Sequence, residues 1–142
     1  MTRAARYAYV ILAWAFLVGV VVQVFFIGLG LFADNVGIEL HVTLGWILHL
    51  APIVVLLAAA LSRAGRSHWL WALALAAVIF VVPILATLRD SSPIAAAFHP
   101  VAAILGFWLA IVVARNSLEA FAEPRPVEVG DEPRAIEESP ST

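Results

Sequence analysis

Four long apolar runs separated by three short polar breaks set the pattern of the chain. The first extends from Tyr7 to Phe32 and contains one strongly polar residue, Gln23. The second runs from Glu39 to Leu61, the third from Trp69 to Leu88, and the fourth from Pro93 to Ala114. A helix of about 20 residues is about 30 Å long, the thickness of the hydrocarbon core of a bilayer. The runs therefore predict four membrane-spanning helices over residues 7–32, 39–61, 69–88 and 93–114. The basic lead with Arg3 and Arg6 resembles the start of a secretory leader. Its apolar core of about 25 residues nevertheless exceeds the roughly 7–15 of a signal peptide, so the first run reads as a retained span.

The breaks carry turn and cap chemistry. Ala33 to Ile38 holds Asp34, Asn35 and Gly37, and either Asp34 or Asn35 suits the N-cap of the second helix. Ser62 to His68 holds Arg63, Gly65 and Arg66. In Arg89-Asp90-Ser91-Ser92-Pro93, Ser92 suits an N-cap with Pro93 at the first helical position. Pro52 and Pro83 fall inside spans and predict local bends, with a milder effect from Pro100 near a helix start. Short connections make successive spans antiparallel neighbours. The expected fold is all-α, an integral-membrane up-down four-helix bundle over residues 1–115. Gly19, Gly28, Gly30, Gly45 and Gly106 allow close helix approach.

Composition agrees with this pattern and removes several chemistries. The chain is 63% hydrophobic with a mean hydropathy of +1.00, beyond the roughly 45–50% apolar content of soluble domains. It has no cysteine, which excludes disulfides and thiolate ligands. A basic nucleic-acid surface is absent, as are a phosphate-binding glycine loop, a zinc-protease helix and a nucleophile elbow. Residues 116–142 hold seven acids and four prolines and read as a disordered acidic cytoplasmic tail, with an extension of span four along the membrane surface as the alternative for its first residues, through Phe121. Arg3, Arg6, Arg63, Arg66 and Arg115 fall at one side of an up-down bundle. By the positive-inside rule both termini are expected in the cytoplasm.

Three histidines then become the candidate chemistry, because imidazole within a bilayer is costly and is normally matched to a partner. His41 and His99 begin spans two and four, which run in the same direction toward the inner face. Two imidazoles at similar depth can hold a haem iron from opposite sides. Measured from the outer caps, the depths of His41 and His99 agree within a turn. Measured from the inner arginines, His49 matches His99, and His41 lies roughly 9 Å further out. The pair His41 and His99 is favoured, with His49 as the alternative ligand or as an interhelical hydrogen-bonding group toward Gln23. His68, in an arginine-bearing turn, reads as solvated. Trp14, Trp46 and Trp108 read as packing.

The pattern His41-x-x-Leu44-Gly45, with His99 two spans later, resembles four-helix b-type cytochromes and one half-bundle of the haem A synthase family. Glu39 and Val42 depart from the latter's pattern. Over residues 7–115 the chain more closely resembles uncharacterised bacterial four-span proteins carrying similar ELHVTLGWILHL and HPVAAILGF blocks, which implies a bacterial cytoplasmic membrane. Together these readings lead to an electron carrier holding one haem b near the outer face, with a quinone or redox protein as partner. The alternative is a cofactor-free scaffold or accessory subunit, as a homo-oligomer or within a larger membrane complex.

Overall fold

The computed structural model describes residues 3–120. These form α1 (Arg3–Phe32), α2 (Val36–Ser62), α3 (Arg66–Thr87), the single turn α4 (Pro93–Ala96) and α5 (Phe98–Glu119). No strand occurs among the described residues, and four of the helical segments are long and apolar enough to cross a membrane. The helices run a few residues past the expected spans. Backbone hydrogen bonding continues after the apolar run ends, whereas hydropathy registers only the part within lipid. Asn116 to Glu119 thus complete α5 rather than opening the tail, whose residues 121–142 lie outside the described residues.

The turns follow from their residues. Asn35 occupies the N-cap position of α2 without a side-chain hydrogen bond, and Asp34 supplies that bond instead, its Oδ1 accepting the Val36 N–H at 3.0 Å. Gly65 precedes α3 at φ +118°, a conformation that side chains rarely adopt. Ser92 and Pro93 start α4, but the expected single helix from Pro93 breaks at Ala97. Pro100 has no N–H for the carbonyl of Ala96 four residues earlier, and its ring crowds that oxygen, so the helix breaks just after Ala96.

Helix neighbours form a closed ring: α1 packs on α2, α2 on α3, α3 on α5 and α5 on α1. The α2 and α5 helices therefore sit across one diagonal of the bundle, and α1 and α3 across the other. The end carrying Arg3 and Glu119 is called terminal below, and the opposite end distal. Buried side chains concentrate in the terminal half, with Tyr9, Ala13 and Phe16 of α1 against Val55, Ala59, Leu75, Leu109 and Val113. Alanines at 58, 59, 72, 110 and 114 let the helices close on one another there. Toward the distal end, beyond Ile79 and Gly106, Gly37 alone is buried among the described residues, and the bundle opens into a cavity. Large apolar side chains such as Phe25, Ile47, Leu57 and Ile104 point outward, as expected of lipid-facing helices.

One contact sets the distal geometry. A Cβ on Gly37 would land on the backbone nitrogen of Gly30 and lie 2.7 Å from the carbonyl oxygen of Phe26. The backbones of α1 and α2 thus touch here, and only glycine fits.

Candidate functional site

His41 projects from α2 one turn past the Gly30–Gly37 contact. Its Nδ1–H donates to the backbone carbonyl of Gln23 on α1 at 3.1 Å. His99, in the first turn of α5, donates from Nδ1 to the carbonyl of Val82 on α3 at 2.8 Å. His49, two turns further along α2, donates from Nδ1 to the carbonyl of Ile79 at 3.4 Å. A carbonyl oxygen only accepts, so in each bond Nδ1 carries the proton. A neutral ring then presents Nε2 with its lone pair free. The same arrangement, one ring nitrogen tied to a carbonyl and the other offered outward, orients histidines that bind metals.

The carbonyl that receives His49 has a sequence origin. Pro83 supplies no N–H to the carbonyl of Ile79 four residues earlier, leaving that oxygen open to a partner from α2. Replacing Pro83 with alanine restores the helical donor, and His49 is expected to lose its bond. The imidazole 15N shifts of His49 will register the change, with little loss of thermal stability because one hydrogen bond replaces another.

The rings of His41 and His99 meet across the α2–α5 diagonal, with centroids 6.4 Å apart and planes at 77°. Both line one distal cavity of about 470 Å³, within the roughly 300–1,000 Å³ range of cofactor and small-molecule sites. Its walls are apolar or small at Val20, Gly45, Val82, Pro83 and Ala103, and it ends toward Thr87, Arg89 and Asp90. Along α3 and the following turn, Ile79 to Arg89 represents about 15 Å of depth. The cavity is therefore a slot along the bundle axis.

His49 lines the same slot, but its ring is held by aromatics: Phe80 stacks on it at 5.1 Å, and Trp46 meets it edge-on at 5.8 Å. The depth estimate from the outer caps thus describes the ring pairing, and the estimate from the inner arginines does not. The expected link between His49 and Gln23 is also corrected, since Gln23 serves His41 through its backbone and His49 bonds to Ile79. The Gln23 amide lies against Gly45, where an added Cβ would come within 2.9 Å of Nε2, and its Oε1 is buried without a partner. In Gly45→Ala the flexible amide is expected to shift aside, narrowing the slot at a cost of about 1 kcal/mol or less in detergent unfolding.

At the terminal end, His68 departs from its expected solvated role. Its Nδ1 is buried without a partner, and its ring stands edge-on to the fully buried Tyr9 at 6.2 Å. Tyr9 stands within an apolar run, and no local pattern distinguishes it. Arg89 belongs in sequence to a turn; its place at the slot follows from how α3 ends. Among the described residues no group of three or more histidines and carboxylates is arranged to hold a bare metal ion.

Comparison with known proteins adds one match. Residues 23–88 fit the model of a family of unknown function, DUF6220. The matched region spans the last third of α1, all of α2 and α3, and His41 and His49, whereas His99 lies beyond it. This agrees with the resemblance to an uncharacterised family. No curated protein and no solved structure matches the chain, and the likeness to b-type cytochromes and haem A synthase gains no support there.

Proposed function

We propose that the distal slot holds one b-type haem with His41 and His99 as its axial ligands, and that the protein carries single electrons. The observation that carries this reading is the His41–His99 ring pair, 6.4 Å between centroids, with both Nδ1 protons committed to carbonyls. His41 and His99 would hold the group between them through Nε2, the nitrogen that neither carbonyl bond uses. Two histidines are too few for a bare ion. They suffice for an iron whose macrocycle brings the remaining nitrogens.

The haem would supply a reversible one-electron couple when bound. The chain's own part is to orient two imidazoles through Gln23 and Val82, to wall the site with apolar side chains, and to keep its dielectric low. With one imidazole from α2 and one from α5 to hold it, the group would serve electron transfer rather than oxygen chemistry. The distal end faces the outside in this reading, and a quinol or a redox protein is the electron partner. The hydrogen bonds of the three histidines also suit a cofactor-free scaffold, in which they simply tie helices together at roughly 0.6 kcal/mol each.

The deciding measurement is a reduced-minus-oxidised visible spectrum of the full chain, purified in detergent from cells supplied with haem. Sharp b-type bands at near one haem per chain are expected. A folded, colourless protein would overturn the haem reading and assign the histidines to packing.

A further inference from the structure

The slot has a polar mouth that ligation by two histidines does not use. Arg89 lines it from the turn after α3, with a side chain that is 81% exposed. The other described arginines, at 3, 6, 63, 66 and 115, lie at the terminal end of the bundle. Arg89 is thus the one arginine at the distal end among the described residues. Its Nε contacts Asp90 Oδ2 at 3.5 Å, and the carboxylate side chain is 88% exposed. Such a solvated pair contributes little and separates readily. The remaining guanidinium nitrogens are available to a planar acceptor, and a carboxylate matches that fork. Thr87, the hydroxyl at the mouth, already donates to the Ile84 carbonyl at 2.7 Å.

We infer that Arg89 is a positioning residue that anchors the acidic edge of the slot's ligand, so that a flat cofactor enters with its carboxylates at the distal mouth and its apolar edge toward Phe16 and Ile79. This rests on the haem reading above and adds the cofactor's orientation. The lining favours the same direction: at the Phe16 and Ile79 end the polar group is His49, whose Nδ1 proton is already given to the Ile79 carbonyl, and no arginine lines the slot there to meet a carboxylate. Asp90 opposes the arrangement as a like charge, and Arg89 is the group that offsets it.

The test pairs a variant with a modified ligand. Full-length wild type and Arg89→Gln, freed of haem in detergent, are titrated with haemin and with its dimethyl ester, which lacks the acidic protons. Arg89→Gln is expected to weaken haemin binding by about three- to tenfold, while ester binding stays within twofold of wild type. The midpoint potential of bound haem should fall in the variant, because a nearby positive charge favours the reduced form. Equal effects on haemin and ester, or no effect on either, would overturn the anchoring role while leaving haem binding intact. If the wild type takes up neither ligand, the haem reading fails as well.

Discussion

His41→Ala and His99→Ala are each expected to reduce bound haem from near one per chain to a small fraction of that, and His49→Ala to retain most of it. The asymmetry follows from the geometry. His41 and His99 face each other across the diagonal with Nε2 free, whereas His49 is held between Phe80 and Trp46. On the haem reading, removing either ring of the pair would leave one protein nitrogen to hold the group. The fold should survive, since each change removes one interhelical hydrogen bond worth about 0.6 kcal/mol and a small amount of packing. Haem content is read from the reduced spectrum of each purified variant, and folding from its elution profile and helical circular dichroism. Full haem content in both His41→Ala and His99→Ala would end this ligand assignment. Loss in His49→Ala with retention in His41→Ala would move it to the deeper histidine.

The largest effect on stability is expected at Gly37. A methyl group there meets the nitrogen and Cα of Gly30 and the carbonyl of Phe26, all backbone atoms of α1. No rotamer change relieves that contact, so α1 and α2 must separate. Overpacking in a tight core typically costs about 1–3 kcal/mol, and a backbone clash falls at or above the upper end. Gly30→Ala is expected to be severe as well, because its Cβ would lie 2.8 Å from the backbone nitrogen of Ile38. Gly28→Ala is the control: nothing lies within 4 Å of its added carbon. Unfolding in mixed detergent micelles should show a large loss for Gly37→Ala and none for Gly28→Ala. Equal behaviour would mean that the two helices do not touch where the structure places them.

The same contact links stability to the site. Gly37 lies one turn before His41, and α1 delivers the Gln23 carbonyl that orients the His41 ring. Separating the helices at Gly37 withdraws that acceptor, so haem retention should fall with stability in Gly37→Ala. Gly45→Ala offers a contrast, because only the end of the Gln23 side chain stands in its way.

Four apolar runs, their turns, and the placement of His41 and His99 at the starts of two parallel helices are all local properties, and the sequence by itself determined them. Each depends on backbone groups bonding within one segment and on how many apolar residues a bilayer requires. The Ala97 break is almost as local, since it follows from Pro100 and the carbonyl four residues before it. The pairing of histidines is not local. Counting along single helices left His41 and His49 in competition, because a count holds no information about how far one helix slides along another. Which ring meets that of His99 follows from how α2 and α5 sit on α3, where His49 reaches the Ile79 carbonyl and His99 the Val82 carbonyl, and the ring beside His99 is that of His41. The same packing gave His49 the carbonyl that Pro83 leaves open, brought Arg89 to the mouth of the slot, and set the half-buried His68 edge-on to Tyr9. Those four outcomes share one cause: each joins residues distant in sequence through close packing, and no hydropathy pattern along one helix encodes the shape of its neighbour.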